Sequence, residues 1–326
     1  MRVALDAFGG DNAPLAAIKG AVLAKEEFGT EIILCGDSEK IKSVALENEI
    51  DISAFTVLDA DGTIEIEDDP ADILKKKRKC SMGVALDALC DGTADAAVSA
   101  GSTAALVVGG SLIVKRIKGI KRCALAAIIP SYKDPFLMLD VGANIDIKPE
   151  YLLQYGIMGS CYYELVMGKK NPAVKLLNIG TEECKGGELH TEGYKLLKDS
   201  TLNFCGNIEG REIMDGDCDV IVTDGFSGNI ALKTIEGVAG TFFKMIKEIF
   251  LKSTLTKLSV LPLKNGLKGL KNKTDYTAVG GAPLLGTCKP LFKAHGSSNE
   301  VAFKNAIRNA ELFAERGVIE KIEGNL

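Results

Sequence analysis

Six short stretches set polar side chains beside glycine at the end of an apolar run. The first is DAFGGDNAP at residues 6–14, which offers Asp6, Gly9 and Gly10. SAGSTAAL at 99–106 offers Ser99, Gly101, Ser102 and Thr103. LDVGANIDIKPE at 139–150 carries Asp140, Asn144 and Lys148, and LNIGTEECKG at 177–186 carries Asn178, Thr181 and Lys185. TDGFSGNIALK at 223–233 adds Asp224, Ser227, Asn229 and Lys233, and FKAHGSSNE at 292–300 adds His295. Small hydroxyls and backbone N–H groups at a strand end suit phosphate oxygens, and carboxamides suit a carbonyl or an oxyanion. Each stretch alone also reads as a helix cap or a turn, with Ser102 or Thr103 as an N-cap. Together they point to one polar crevice for a phosphate-bearing or acyl substrate, without fixing the reaction.

Other chemistries find less support. Neither GxGxxG nor GxxxxGK[ST] occurs, so nucleotide binding has no motif behind it. The chain has two histidines, which excludes a histidine-rich metal site, and we expect no metal and no cofactor. His295 stands in a Gly-Ser loop before a helix and is a candidate acid or base, whereas His190 reads as a surface residue. Cys184 precedes Lys185 and Cys80 follows Lys79, a setting that favours thiolate, but no histidine lies near either in sequence; both read as incidental thiols.

The elements that must hold these loops are buried strands alternating with helices. RVALDA (2–7), EIILCG (31–36), ADAAVSA (94–100), CALAAII (123–129), FLMLDVG (136–142), VKLLNIG (174–180) and CDVIVTDG (218–225) are apolar throughout rather than alternating. Such runs belong to a parallel sheet covered on both faces. Residues 14–28, 149–167 and 300–316 have helical period, the first two opening on proline. The pattern predicts a doubly wound α/β protein with a mostly parallel sheet and helices on both faces, a single catalytic unit over 1–326. Ligands bind such folds outside the carboxyl ends of the strands.

Composition narrows the function classes. The net charge is −5, which argues against nucleic acid as a partner. Nine cysteines without a CxxC pair suit reduced thiols in a cytoplasm, and MRVALDAFGG enters a strand at once, with no room for a signal peptide. Residues 96–114 are free of charge for 19 positions, yet three Ser, one Thr and three Gly make a strand, a glycine loop and a buried helix the better reading than a membrane span. The basic cluster ILKKKRKCSM at 73–82 reads as a solvated helix end.

One segment stands apart. LKSTLTKLSVLPLKNGLKGLKNK at 251–273 carries six lysines, and no acid occurs between Glu248 and Asp275. Leu251, Leu255 and Leu258, then Leu263, Leu267 and Leu270, fall at helical spacing on either side of Pro262. This predicts an inserted amphipathic, basic helical hairpin at 250–275 projecting from the fold. Leu255, Leu258 and Leu267 would enter a membrane interface while Lys264, Lys268 and Lys271 meet anionic headgroups or an acidic protein.

In this order the stretches DAFGGDNAP, VSAGSTAAL, LDVGANIDIKPEYLLQ, LLNIGTEECKG, NFCGNIEGREI, TDGFSGNIALKTIEG, GGAPLLG and HGSSN resemble the bacterial phosphate acyltransferase family (acyl-carrier-protein:phosphate acyltransferase, PlsX), from residue 6 to residue 299. The resemblance implies transfer of a fatty acyl group from acyl carrier protein to inorganic phosphate. The acyl phosphate formed would feed a membrane glycerol-3-phosphate acyltransferase at the start of phospholipid synthesis. It further implies a fold like that of isocitrate and isopropylmalate dehydrogenases and phosphotransacetylases, a homodimer, and a cytoplasmic enzyme peripheral to the inner face of the cell membrane. On this reading Ser99, Thr103 and the amides of 100–103 cradle phosphate, with Lys185 as cation and Lys233 in reserve. Asn144, Asn178 and Asn229 orient the carbonyl, His295 handles a proton, and Asp6 and Asp224 anchor the donors. The chain departs from the family's usual His at Asn12, Asn at Ser102 and aromatic at Val279, and has KRKCSM around Cys80 in place of KKDSSM. Asn12 removes a universal catalytic histidine from that position. A coenzyme A-dependent phosphotransacetylase, a metal-dependent dehydrogenase and a non-catalytic adaptor for acyl carrier protein at the membrane remain as alternatives.

Overall fold

The computed structural model describes residues 1–253, 266, 269 and 280–326. The predicted hairpin at 250–275 lies almost wholly outside the described residues, which at its start comprise the last turn of a helix ending at Leu251.

The apolar runs become strands where they were expected, most of them shorter than the runs by one to five residues. They are β1 (Arg2–Asp6), β2 (Glu31–Gly36), β3 (Thr56–Asp59), β4 (Ala96–Ser99), β5 (Ala124–Ile129), β6 (Phe136–Leu139), β7 (Val174–Asn178), β8 (Phe204–Glu209), β9 (Val220–Val222), β10 (Ala282–Leu285) and β11 (Leu291–Lys293). One sheet joins them in the order β3-β2-β1-β4-β11-β10-β5-β6-β9-β7-β8. Seven of the ten pairings are parallel. The exceptions are β11–β10, β10–β5 and β5–β6. These three reversals leave β6 and β9 running opposite to β1 and β4. The strand ends on the two sides of β10 and β5 therefore point in opposite directions, and the glycine loops do not all share one rim.

Helices cover both faces. α1 (Leu15–Phe28), α2 (Ser38–Glu47), α3 (Ser81–Asp91), α4 (Thr103–Gly109), α5 (Pro149–Tyr162), α6 (Glu188–Lys198), α7 (Gly225–Leu251), α8 (Glu300–Glu315) and α9 (Val318–Glu323) complete the described elements. On β1, Val3 and Leu5 face Ile18 and Ala21 of α1 and Phe303 and Ile307 of α8. Ala4, between them, faces Met82, Leu86 and Leu89 of α3 on the other side. This is why the strand sequences lack alternation: both faces are buried, and each apolar side chain removed from water contributes about 1.5–3 kcal/mol.

The uncharged stretch at 96–114 resolves into β4, a turn, α4 and a π turn over Gly110–Val114. Among the described residues no helix is long and apolar enough to cross a membrane. The basic cluster is ion-paired: Lys76 with Asp72 at 3.1 Å, Lys77 with Asp68, and Arg78 with Asp87. Cys80 caps α3, its Sγ accepting from the Gly83 N–H at 3.4 Å, and burial pushes its thiol pKa up.

Candidate functional site

The site is assembled around the carboxyl ends of β1, β4 and β11. β1 delivers Asp6, fully buried, whose Oδ2 accepts from Ser99 Oγ at 2.6 Å. Burial raises the Asp6 pKa, and donors from Ser81, Ser99 and Phe8 oppose it. Ser99 Oγ in turn accepts from the Gly101 N–H at 3.1 Å. The next loop passes so close that a Cβ on Gly9 would sit 2.5 Å from the Gly101 nitrogen and 2.7 Å from Asp6 Oδ2. Gly10 has φ +94°, and a Cβ there would lie 2.7 Å from the Gly296 carbonyl oxygen. Only glycine allows this approach without displacement. The loops after β1 and β11 are then tied together by the Asp11 N–H on the Gly296 carbonyl at 2.8 Å. Asn12 Nδ2 reaches the carbonyls of Ser297 and Ser298 at 3.3 and 3.2 Å. Asn12 is therefore a loop fastener here.

Over this platform lies a cavity of about 360 Å³. Its lining combines polar residues, Thr103, Asn229, Lys233, Glu236, Lys293 and His295, with apolar ones, Leu125, Ala127, Ile128, Val141 and Leu232. Lys233 projects from α7 and shares its ammonium between Glu236 at 2.8 Å and His295 Nε2 at 3.1 Å. His295 Nδ1 accepts from the Ser297 N–H at 3.2 Å and lies 2.8 Å from Ser297 Oγ, so both ring nitrogens are engaged. Burial, and then the Lys233 charge, hold the His295 pKa below its ordinary value. A neutral imidazole with a contact at each ring nitrogen follows.

Lys293 was not foreseen. It ends β11 only 9% exposed, and its Nζ donates to the carbonyls of Ala100 at 3.0 Å and of Ala294. Desolvation lowers its pKa from 10.5 to about 8; Asp6 and Asp11 oppose the shift and Lys233 reinforces it. Its signal in the sequence is a lysine closing the apolar run LFK two positions before His295.

The remaining expected site residues divide by location. Ser102 caps α4, its Oγ accepting from Ala105 N–H at 3.4 Å, and Asp224 caps α7, its Oδ1 accepting from Ser227 N–H at 2.8 Å. Asp140 is a buried hub that accepts from the N–H groups of Leu125, Ala143 and Asn144 at 3.1, 2.9 and 2.7 Å. Asn144 spends its amide on Asp140 and on the Cys123 carbonyl, at 2.8 and 2.7 Å, so it shapes the cavity wall from behind. Asn229 does line the cavity, beside Gly142. Asn178 and Lys185 belong elsewhere. Asn178 Nδ2 holds the Lys185 carbonyl at 3.1 Å, and the exposed Lys185 side chain lies over Gly180, outside the lining. β7 and β9 are parallel and end at the same rim, but the long α7 after β9 carries Asn229 and Lys233 to the cavity, and the loop after β7 does not reach it. Among the described residues Lys233 and Lys293 are the lysines at the cavity, and Lys185 is not.

Comparison with known proteins accords with this arrangement. A family model described as fatty acid synthesis protein matches residues 1–321. The phosphate acyltransferase of Lysinibacillus sphaericus is 48% identical over 324 residues, 99% of this chain and 97% of that protein. Among solved structures, a phosphotransacetylase from Streptococcus pyogenes superposes with a TM-score of 0.67 at 16% identity, covering 97% of this chain and 94% of the other. A protein assigned as a 4-hydroxythreonine-4-phosphate dehydrogenase from Salmonella typhimurium gives 0.54 at 12% identity, over 95% and 98% of the two chains. At such identities the structural likeness is one of fold, and it is the dehydrogenase-like α/β fold expected from the sequence.

Proposed function

We propose, for a chain that belongs to the phosphate acyltransferase family, that it transfers a fatty acyl group from acyl carrier protein to inorganic phosphate. The observation that carries the reading is the mixed lining of the cavity, two lysines and a histidine together with a set of aliphatic side chains. On this reading phosphate sits beside the lysines, and the first carbons of the acyl chain lie along Leu125, Ala127, Ile128, Val141 and Leu232. A phosphate oxygen attacks the thioester carbonyl, the C–O bond forms, the C–S bond breaks, and the pantetheine sulfur leaves as thiolate. Phosphate is already a nucleophile and thiolate a competent leaving group, so the protein's task is to hold both in line and to stabilise the oxyanion. Asn229 and Lys233 are the donors best placed for that oxyanion. The neutral His295 keeps the Lys233 ammonium aimed into the cavity.

The acyl phosphate leaves for a membrane glycerol-3-phosphate acyltransferase, and the lysine-rich segment 251–273 supports contact with an anionic membrane surface or with the acidic carrier protein. A homodimer is supported by α7, where Phe226, Ile230, Val238, Phe242, Met245 and Ile249 recur at helical spacing and are exposed. Sedimentation of the wild type beside Phe242→Glu tests this, and a monomeric wild type would remove the second copy.

The function itself is tested by incubating the protein with phosphate and palmitoyl-acyl carrier protein, and trapping acyl phosphate with hydroxylamine. Formation from the carrier-protein thioester, well above that from palmitoyl-coenzyme A, is the expected result. Folded protein that makes none would overturn the reading, and a preference for coenzyme A would replace the donor.

A further inference from the structure

The described lysines at the cavity differ in one respect. Lys233 is half exposed and paired with Glu236, whereas Lys293 is buried and donates to two backbone carbonyls. Among the described residues no carboxylate forms an ion pair with it. Asp6 and Asp11 lie near enough to act on its charge. Asp6 accepts from the Ser99 hydroxyl and the Phe8 N–H and makes no ion pair with the lysine. A buried ammonium without an anionic partner is costly, and an ammonium has three N–H groups of which two are spent on carbonyls. What would repay the cost is an anion arriving in the cavity that the lysine lines.

We propose that Lys293 is the buried cation that receives the phosphoryl dianion, holding inorganic phosphate beside Thr103 before transfer. The proposal rests on the phosphate-dependent reading above and adds a residue that contacts the substrate. The two carbonyl bonds fix Nζ between the loop after β4 and the loop after β11, so the charge is oriented before phosphate enters. The facing groups set its pH response. Asp6 on β1 and Asp11 on the following loop favour the ammonium, while Lys233 on α7 disfavours it, as does burial. His295, the next neighbour along the chain but one, is already held neutral. Phosphate binding should therefore weaken as Lys293 loses its proton, over a range in which phosphate remains a dianion.

The test uses the full-length protein and inorganic phosphate alone, with Kd measured calorimetrically between pH 7.5 and 9.5. For a lysine titrating at about 8, wild-type Kd should rise roughly twentyfold across that interval. Lys293→Arg, which stays charged, should bind phosphate with a flat profile. Lys293→Met should bind at least about tenfold more weakly at pH 7.5. Steady-state turnover should show the loss in the KM for phosphate and not in the KM for the acyl donor. A flat wild-type profile, or Lys293→Met binding phosphate like wild type, overturns the proposal. So does a loss confined to the acyl donor, which would assign the lysine to the pantetheine phosphodiester. The wild-type arm needs no variant to fold. If phosphate binds with this pH dependence but no acyl phosphate forms, the function fails and the anion site stands. If acyl phosphate forms while Lys293→Met binds phosphate normally, the reverse holds.

Discussion

Burying Lys293 must be visible in stability as well as in binding. Its pKa falls from 10.5 in the unfolded chain to about 8 in the fold. The unfolded chain therefore binds more protons between these values, and stability on this group's account rises with pH through that window. At about 1.36 kcal/mol per decade the full gain is about 3 kcal/mol, of which roughly 2 kcal/mol falls between pH 7.5 and 10. The perturbation is Lys293→Met, which removes the titration and keeps most of the side chain's length. The hydrogen bonds lost to Ala100 and Ala294 cost the variant something at every pH. The quantity to follow is thus the difference between wild type and variant as pH changes, not its sign at one pH. Urea unfolding at matched protein concentration, without phosphate, gives that difference. Wild type should gain roughly 2 kcal/mol on the variant from pH 7.5 to 10. Curves that stay parallel within about 0.5 kcal/mol would mean that the ammonium is solvated in the fold. The case for a poised buried cation would then be lost.

Three further outcomes are expected. Gly9→Ala should lose about 1–3 kcal/mol in urea and raise the KM for phosphate, because its Cβ would fall 2.5 Å from the Gly101 nitrogen; an unchanged Cm would show that the loop yields freely. Lys233→Met should lower kcat/KM at least about tenfold while Lys185→Ala stays within about twofold, since the first lines the cavity and the second does not; the opposite ranking in the trapping assay would return the cationic role to Lys185. Leu258→Glu with Leu267→Glu should abolish sedimentation with anionic liposomes and spare turnover in solution; retained sedimentation would remove these leucines from any membrane contact.

Local physics made much of this legible in the sequence. A strand buried on both faces must be apolar throughout, so β1, β2, β4, β5, β6, β7 and β9 could be read directly. Glycines at 9 and 10 read as a turn, and that turn is where the loops after β1, β4 and β11 meet. The short strands β10 and β11, four and three residues long, carry too few residues to show a period. Their antiparallel pairing is a long-range property, and it decides which loops share a rim. Lys185 was preferred to Lys233 although both follow a glycine loop; β7 and β9 end at the same rim, and what separates the two is that α7 carries Lys233 to the cavity while the loop holding Lys185 stays outside its lining. Lys293 was hidden for the opposite reason. A lysine closing an apolar run reads as a strand end reaching solvent, and its burial depends on loops nearly two hundred positions away.

The same geometry argues against a covalent route. Burial pushes the thiols of Cys123 and Cys218 up to about 11 and about 12, and raises those of Cys35 and Cys80 as well. The exposed Cys184 belongs to the loop of Lys185, and no cysteine lines the cavity among the described residues. His295 has both ring nitrogens engaged, Nε2 3.1 Å from the Lys233 ammonium and Nδ1 accepting from the Ser297 N–H, so proton transfer there must first break a contact. What the cavity does supply is positive charge fixed by backbone carbonyls, a neutral ring that aims a second ammonium, and a set of aliphatic side chains. Such a set does little for a nucleophile of the protein's own and much for a dianionic one brought in as substrate. Desolvating phosphate next to a lysine that is itself desolvated strengthens the attraction between them in the low-dielectric interior. The cost of burying Lys293 in the empty enzyme is thereby returned when phosphate binds, which places the nucleophile before the thioester arrives.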